Sequence, residues 1–173
     1  MTSRPIRVAI NGFGRIGRTL FRLLSEQAHL RVVAINDLAD APTLSHLLKY
    51  DSIHGVFQKE VSHSGNHIIV ENNKVALLNH NSPIDIPWSD HKVDIVVEAT
   101  GKFKDRAILD YHLKNGAKKV ILSVPPTEDD IKMVVFGINH ETLVQTDDII
   151  SNASCTTNNA APMIKVIQDL CGI

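Results

Sequence analysis

A glycine-rich turn between an apolar run and a helical pattern is the feature that most constrains this fold. The apolar residues 6–10 are followed at once by Asn11-Gly12-Phe13-Gly14-Arg15-Ile16-Gly17, and a helical pattern begins inside that turn. In such a strand–turn–helix, the first glycine allows the tight turn, the second lets the backbone approach a diphosphate, and the third lets the helix pack close to the strand. The turn therefore predicts a dinucleotide site built from backbone groups at a helix N-terminus.

A carboxylate follows the second apolar run, where a dinucleotide site needs one. Val32-Val33-Ala34-Ile35 ends at Asn36-Asp37, and the ribose-binding acid of such sites lies about twenty residues beyond the glycine turn. We expect Asp37 to accept both ribose hydroxyls of an adenosine. The 2′-phosphate of NADP would place roughly two negative charges next to this carboxylate. Because like charges repel, the sequence favours NAD. A loop acid on an unrelated α/β domain is the alternative interpretation at this point.

Apolar runs and helical patterns alternate along most of the chain. The apolar runs predict strands at residues 6–10, 32–35, 93–98, 118–122, 134–136 and 149–150. The helical patterns predict helices at about residues 15–27, 43–48, 105–114 and 160–170, the second with Asp40 or Thr43 as its N-cap. Residues 67–78 have the pattern of an antiparallel hairpin. This order predicts an α/β fold with a doubly wound, mostly parallel, Rossmann-type sheet that carries an inserted antiparallel hairpin.

Several polar or small residues come directly after the apolar runs. In a doubly wound sheet, ligand-binding residues collect just beyond the carboxyl ends of the strands. The residues in this position are Gly12, Asp37, Thr100, Ser123 and Cys155. We expect them at one edge of the sheet, although Thr100 could equally be a simple strand cap.

The two cysteines lie in different sequence contexts. Cys155 lies between a strand and a helix, where N–H donors and the helix dipole favour a thiolate. Pro162 prefers the first turn of a helix, and a helix that began there would leave Cys155 well upstream. Spacing alone therefore leaves Cys155 open between a reactive thiol and an inert buried one. Cys171, beside Gly172 at the helix end, is expected to be structural.

Charge and composition exclude several classes of function. The formal net charge is −1, which gives no broad electrostatic case for binding nucleic acid or an anionic membrane. No stretch approaches the length of a transmembrane helix, and the N-terminus lacks the pattern of a signal peptide, so we expect a cytoplasmic protein. The nine histidines are scattered and neither cysteine lies in a Cys-x-x-Cys, so no metal site is expected.

Motifs spread over nearly the whole chain resemble glyceraldehyde-3-phosphate dehydrogenase. Besides the glycine turn they are Ala34-Ile35-Asn36-Asp37, His46-Leu47-Leu48-Lys49-Tyr50-Asp51-Ser52, Glu98-Ala99-Thr100-Gly101-Lys102-Phe103, Gly116-Ala117-Lys118-Lys119-Val120 and Ser151-Asn152-Ala153-Ser154-Cys155-Thr156-Thr157-Asn158. They occur in that family's order, and the last is close to diagnostic. The resemblance implies NAD as cofactor and oxidation of D-glyceraldehyde 3-phosphate, with inorganic phosphate, to 1,3-bisphosphoglycerate in glycolysis. It also implies a cysteine thioester and a homotetrameric parent enzyme.

The resemblance also implies a role for each matching position. Cys155 corresponds to the nucleophile, and Ser154 and Thr156 lie in the segment that contacts substrate or phosphate. The positions matching cofactor-binding residues are Asn11, Gly12, Gly14, Arg15, Ile16, Gly17, Asp37, Thr100 and Ser123. Two positions depart from the family: Asn159 replaces a frequent second cysteine, from which we expect a redox difference, and Asn81 replaces a frequent arginine near the adenine.

The resemblance also implies a division of the enzyme into two parts. In the family, the second half supplies the base histidine, the phosphate-binding arginine and threonines, and most of the tetramer interface. We therefore expect residues 1–154 to form the NAD-binding domain and residues 155–173 to form a nucleophile-bearing helix. That helix would lead to a catalytic domain absent from this chain, and the chain alone would be inactive.

Two other functions stay open on the sequence. Erythrose-4-phosphate dehydrogenase shares the glycine turn and the cysteine motif, and a comparison of the two aldehydes as substrates would separate the enzymes. A non-catalytic NAD-sensing module would share the dinucleotide site, and a partner that binds only in the presence of NAD would identify it.

Overall fold

Strands and helices alternate along residues 4–172, the part of the chain that the computed structural model describes. The strands are β1 (Ile6–Asn11), β2 (Leu30–Asn36), β3 (Tyr50–Asp51), β4 (Gly55–Val56), β5 (Val61–His63), β6 (His67–Val70), β7 (Asn73–Leu78), β8 (Ile95–Glu98), β9 (Lys119–Leu122), β10 (Lys132–Met133) and β11 (Ile149–Ser151). The helices are α1 (Arg15–Leu24), α2 (Ala41–Lys49), α3 (Arg106–Lys114) and α4 (Cys155–Cys171), with short 3₁₀ turns at Pro83–Asp85, Trp88–His91 and His140–Thr142.

A sheet of nine strands, in the order β10-β11-β9-β8-β1-β2-β7-β6-β5, forms the centre of the fold. Every neighbouring pair from β10 to β7 is parallel, whereas β6 and β5 are antiparallel additions at one edge. Of the strands in this sheet, those from β1 to β7 lie on one side, and those from β8 to β11 lie on the other. This confirms the predicted doubly wound sheet and places its switch point between β1 and β8.

The predicted hairpin is confirmed as the antiparallel pair β6–β7. Its second strand is also the parallel neighbour of β2. The hairpin is therefore continuous with the main sheet and extends its edge, while β3 and β4 form a separate two-stranded sheet.

One predicted strand is wrong. Residues 134–136 belong to no strand and lead into a turn at residues 136–139, and the short strand in this region is β10, which ends at Met133. The side chain of Asn139 explains the turn, because its Oδ1 accepts a hydrogen bond from the Val135 N–H at 2.7 Å and its Nδ2 donates to the Met133 carbonyl at 3.0 Å. The turn leaves Phe136 81% exposed.

Both faces of the sheet are covered, as the alternation of side chains along β1 requires. Ile10 lies on one face in a cluster that includes Phe13, Phe21 and Leu48. Its neighbour Ala9 lies in a second cluster around Trp88. The α2 helix begins after Asp40, whose carboxylate accepts from the Thr43 N–H at 2.9 Å, so Asp40 is the N-cap of the two that the sequence allowed.

An ion-pair cluster joins the first residues of β1 to the segment that enters β8. The carboxylate of Asp94 accepts hydrogen bonds from the Arg4 guanidinium at 2.7 and 2.9 Å and from the Arg7 backbone N–H at 2.9 Å. The Lys118 ammonium lies 2.8 Å from the same carboxylate. The bonds from Arg4, then those from Lys118 and Arg7, hold the pKa of Asp94 far below its ordinary value.

Replacement of Asp94 by Asn should lower the free energy of unfolding at pH 7, because it removes the charge that Arg4 and Lys118 pair with. The expected loss is only about 1–2 kcal/mol, since solvent largely screens these two partners. The folded-state pKa is depressed, so this stabilisation is present above the unfolded-state pKa and is lost as the pH falls. Urea unfolding should show the difference between wild type and D94N shrinking from about pH 5 to about pH 2.

The matched control for this measurement is D110N, which removes the carboxylate of a surface i,i+4 pair with Arg106. It should change the stability little at any pH. A D94N deficit that stayed constant across the acid range would contradict the assignment of this stabilisation to the ionised carboxylate.

Candidate functional site

The glycine turn contacts the rest of the protein too closely for a side chain at two of its positions. Gly12 has a φ of +92°, and a Cβ there would lie 2.7 Å from the backbone nitrogen of Thr100. A Cβ on Gly17 would lie 2.2 Å from the carbonyl oxygen of Gly12. Around a Cβ on Gly14, by contrast, nothing lies within 4 Å. The fold therefore requires Gly12 and Gly17, whereas Gly14 leaves open space beside the loop.

Helix α1 begins beside the open space at Gly14. Its N-cap is Gly14, so no described side chain caps the helix, and its first turn holds no acidic residue. The first N–H groups of a helix have no partner within it, and the dipole favours an anion there. An uncapped N-terminus next to an open glycine fits the diphosphate of a dinucleotide.

The carboxylate of Asp37 connects the glycine turn to the end of β2. Its Oδ2 accepts from the Phe13 N–H at 2.7 Å, and its Oδ1 accepts from the Ala39 N–H at 3.0 Å. Each oxygen keeps lone-pair capacity for one more donor. The half-buried carboxylate can therefore accept the two ribose hydroxyls while it fixes the loop.

A cleft of about 330 Å³ lies at the carboxyl ends of β1, β2 and β8. Of the predicted cofactor residues, those that line it are Asn11, Gly12, Gly14, Asp37 and Thr100. The other lining residues are Asn36, Leu38, His80, Asn81, Ala99, Lys102 and Phe103. The structure thus brings together most of the positions that the sequence placed after separate strands.

A larger cavity, of about 450 Å³, includes Pro5, Lys59 and Val75 and lies towards the start of β1. It contains none of the predicted site residues. Volume alone does not identify a dinucleotide site, because the larger cavity lacks the glycine turn and the free helix N-terminus. We therefore place the candidate site at the smaller cleft.

A buried row of polar side chains, which was not predicted from the sequence, lies below the cleft. Asn36, Asn11 and Glu98 are the last residues of β2, β1 and β8, lie in register on neighbouring strands and are at most 5% exposed. Asn36 Nδ2 donates to Asn11 Oδ1 at 2.8 Å, and Asn11 Nδ2 donates to Glu98 Oε2. Polar residues ending otherwise apolar strands were the signal that could have found this row.

The cysteine segment departs from the prediction at its helix start. Helix α4 begins at Cys155, not near residue 160, and Pro162 lies inside it. The reason is the cap: Ser154 Oγ accepts from the Thr157 N–H at 2.9 Å, which starts the helix upstream of the proline. Cys155 is therefore an exposed thiol in the first turn of α4, where the helix dipole favours a negative charge.

The turn before this helix is held in an unusual backbone conformation. Ala153 has a φ of +56°, a left-handed geometry that costs a non-glycine residue about 1–3 kcal/mol. The buried hydroxyl of Ser151 compensates by donating to the Val124 carbonyl at 2.7 Å and accepting from the Ala153 N–H at 3.0 Å. Ser151 and Ala153 thus hold Cys155 at the end of β11.

The remaining predicted site residues do not line the cleft. Ser154 and Thr156, the sequence neighbours of Cys155, contact each other, with Ser154 Oγ 2.9 Å from Thr156 Oγ1. Ser123 follows β9 and donates its N–H to the Glu98 carbonyl at 3.0 Å. The side chains of Arg15 and Ile16 are exposed on the first turn of α1.

Cys171, which was expected to be structural, is an exposed thiol at the end of α4. Among residues 4–172, no group of three or more His, Cys, Asp or Glu side chains is placed to hold a metal ion. In the described part of the chain, no helix has both the length and the apolar composition needed to span a bilayer.

Comparison with known families agrees with this geometry. Residues 6–106 match the family model described as glyceraldehyde 3-phosphate dehydrogenase, NAD binding domain. The chain belongs to this family. NAD is accordingly the coenzyme of the domain, as the sequence predicted, and the open glycine, the uncapped helix and Asp37 fit it.

Relatives named glyceraldehyde-3-phosphate dehydrogenase match almost the whole chain. The one from Mycoplasma pneumoniae is 48% identical over 171 residues, which is 99% of this chain and 51% of the relative. Those from Streptomyces coelicolor and Thermotoga maritima are 49% and 47% identical over 97% and 96% of this chain and 50% of each relative. The chain thus spans about half the length of the curated relatives it matches.

Replacement by alanine should have different effects at Gly14 and at Gly17. G14A places its Cβ in open space and should leave the melting temperature nearly unchanged, but the methyl group stands where the diphosphate approaches and should weaken NAD binding about tenfold or more. G17A forces α1 away from Gly12 and should lower both stability and affinity. Circular dichroism melting and calorimetric NAD titration measure the two effects.

Comparison of G14A with G17A separates an effect on NAD binding from an effect on the packing of α1. Equal loss of stability in both variants would contradict the open space at Gly14, and unchanged NAD affinity in folded G14A would contradict the location of the diphosphate.

Proposed function

We propose that this chain is the NAD-binding part of a cytoplasmic enzyme that oxidises D-glyceraldehyde 3-phosphate, with NAD and inorganic phosphate, to 1,3-bisphosphoglycerate in glycolysis. The observation that carries the proposal is the location of Cys155. It is exposed in the first turn of a helix, directly after β11. Because β11 is parallel to β9, β8 and β1, its carboxyl end lies at the edge of the sheet that holds the cleft.

In this proposal, Cys155 is the nucleophile. Its thiolate adds to the aldehyde carbon to give the alkoxide of a thiohemiacetal, and departure of a hydride from that carbon leaves a thioester. Bound NAD supplies the hydride acceptor. Phosphate then attacks the thioester carbon and releases the acyl phosphate and the thiolate. We propose that Ser154 and Thr156, which adjoin Cys155 in sequence, contact substrate or phosphate.

We further propose a division of the chain into residues 1–154, the NAD-binding domain, and residues 155–173, a helix that connects to a catalytic domain. The apolar side chains of α4 support this division. Met163, Ile164, Val166 and Ile167 are between 47% and 57% exposed, and none of the described residues of α4 is buried. A helix so exposed and so apolar is stable in a larger protein when a second domain or subunit covers it. In that protein we propose a homotetramer.

The general base is the part of the mechanism that this chain does not supply in our proposal. Among residues 4–172, no histidine forms an ion pair or hydrogen bond with Cys155. Family resemblance assigns the base histidine, and the arginine and threonines that hold phosphate, to the second half of the enzyme. The relatives do not favour the alternatives of an erythrose-4-phosphate enzyme or an NAD sensor.

The 173-residue chain should therefore bind NAD without sustained turnover. Loss of a general base costs about 10²–10⁴-fold in rate, and loss of substrate positioning adds several kcal/mol to the barrier, so about 10²-fold or more again. NADH absorbance with glyceraldehyde 3-phosphate and phosphate, run beside an NAD titration of the same sample, measures both properties.

The control for this assay is C155A, which should bind NAD as the wild type does and set the background rate. Steady NADH production by the wild-type chain, absent in C155A, at a rate typical of complete enzymes would show that the chain carries its own base. A chain that failed to bind NAD would contradict the placement of the coenzyme cleft.

A further inference from the structure

We propose that Glu98 is a positioning residue for the NAD-binding loop, held by a buried hydrogen-bond chain that extends through His112 to Trp88. The proposal rests on the NAD binding that family membership gives to this domain and goes beyond it. None of the coenzyme roles assigned above falls on these three side chains. All three are fully buried, with 0% exposure.

The carboxylate of Glu98 is surrounded by hydrogen-bond donors. Its Oε1 accepts from the Thr100 backbone N–H at 2.8 Å and from the Thr100 hydroxyl. Its Oε2 accepts from Asn11 Nδ2 and lies 3.1 Å from His112 Nε2. A buried carboxylate is tolerated only when it is paired with donors in this way.

Trp88 determines which nitrogen of His112 carries the proton. The indole Nε1 lies 2.8 Å from His112 Nδ1, and an indole N–H can only donate. His112 Nδ1 is therefore the acceptor, which leaves the proton on Nε2, directed at Glu98. All four contacts to Glu98 are consequently donors, and they match the lone pairs of an ionised carboxylate without any proton on it.

The two residues that Glu98 holds are in direct contact with the glycine turn. Thr100 supplies the backbone against which Gly12 packs, so closely that a Cβ on Gly12 would lie 2.7 Å from its nitrogen. Asn11 immediately precedes Gly12, and its carbonyl accepts from the Ala99 N–H at 2.7 Å. Glu98 thus holds the glycine turn through Asn11 at the end of β1 and through Thr100 just after β8.

The hydrogen-bond chain also continues beyond Asn11 to Asn36 and His80, which line the cleft. Asn36 Oδ1 accepts from the His80 N–H at 2.8 Å, and Asn36 Nδ2 donates to Asn11 Oδ1 at 2.8 Å. Misplacement of a binding loop by about 1 Å is enough to lose much of its effect. We infer that the chain sets the turn in the geometry that accepts a diphosphate.

Replacement of Glu98 by Gln tests this inference. Gln has nearly the same size as Glu, but its amide N–H₂ would face N–H or O–H donors where the carboxylate oxygen accepted hydrogen bonds. Calorimetry should give an NAD dissociation constant raised about tenfold or more, since hydrogen bonds to a charged group are lost. The affinity for adenosine, which lacks the diphosphate, should change less than about twofold by NMR titration, because the ribose contacts at Asp37 remain. A general loss of structure would weaken both ligands alike.

The smaller change T100V removes the hydroxyl, which donates to Glu98 and accepts from the Lys102 N–H at 3.1 Å. Thr100 is exposed, so the chain should fold. T100V should weaken NAD binding severalfold, and T100S, which restores the hydroxyl, should recover most of the loss. The control L109A removes apolar packing from α3 at a fully buried residue outside the hydrogen-bond chain. It should lower the melting temperature and leave the NAD dissociation constant within about twofold of wild type.

Trp88 is the sole tryptophan of the chain, so its fluorescence reports whether each variant keeps its core. Folded E98Q with wild-type NAD affinity would overturn the proposal, and so would a parallel loss of NAD and adenosine binding. If the Trp88 emission of E98Q shifts to that of an unfolded chain, T100V decides: unchanged NAD affinity there would overturn the proposal as well. A wild-type chain that binds no NAD would instead contradict the coenzyme assignment itself.

Discussion

A helix can offer its first N–H groups to a ligand only when it packs close to the strand before it and nothing of the protein stands in front of its end. Here the contact between Gly17 and the carbonyl of Gly12 satisfies this condition, since a Cβ on Gly17 would lie 2.2 Å from that oxygen. The contact also brings Phe21 of α1 edge-to-face against Phe13 of the turn, with ring centroids 5.8 Å apart. One backbone contact therefore sets both the core on this face and the open N-terminus of α1.

The switch point of the sheet explains why the functional residues converge. Because β1 and β8 are parallel neighbours from which the chain runs in opposite directions, their carboxyl ends leave a crevice that no crossover covers. The glycine turn, Asp37 and Thr100 line that crevice. Cys155 follows β11 at the same edge, two strands beyond β8. The coenzyme cleft and the nucleophile thus belong to one edge because the strands are parallel, although they lie far apart in sequence.

Local patterns in the sequence predicted the parts of the fold that depend on local physics. The glycine turn and the β6–β7 hairpin follow from turn chemistry and alternation, and the structure confirms them. Capping chemistry narrowed the start of α2 to Asp40 or Thr43, and the structure selects Asp40. The start of α4 was missed because the hydroxyl of Ser154 outweighs the preference of Pro162. The Glu98–His112–Trp88 chain was missed because it joins residues from a strand, a helix and a 3₁₀ turn, and no local pattern reports such contacts.

Hydrogen–deuterium exchange of the 173-residue chain, with and without NAD, tests the location of the coenzyme site most directly. The account predicts that NAD slows exchange in the glycine turn, at residues 37–39 and at residues 99–101, which meet at the cleft. The peptides around Lys59 and Val75, which line the larger cavity, should exchange as they do without NAD. Protection centred on those peptides, with none in the glycine turn, would contradict the central claim that the carboxyl edge of β1, β2 and β8 binds the dinucleotide.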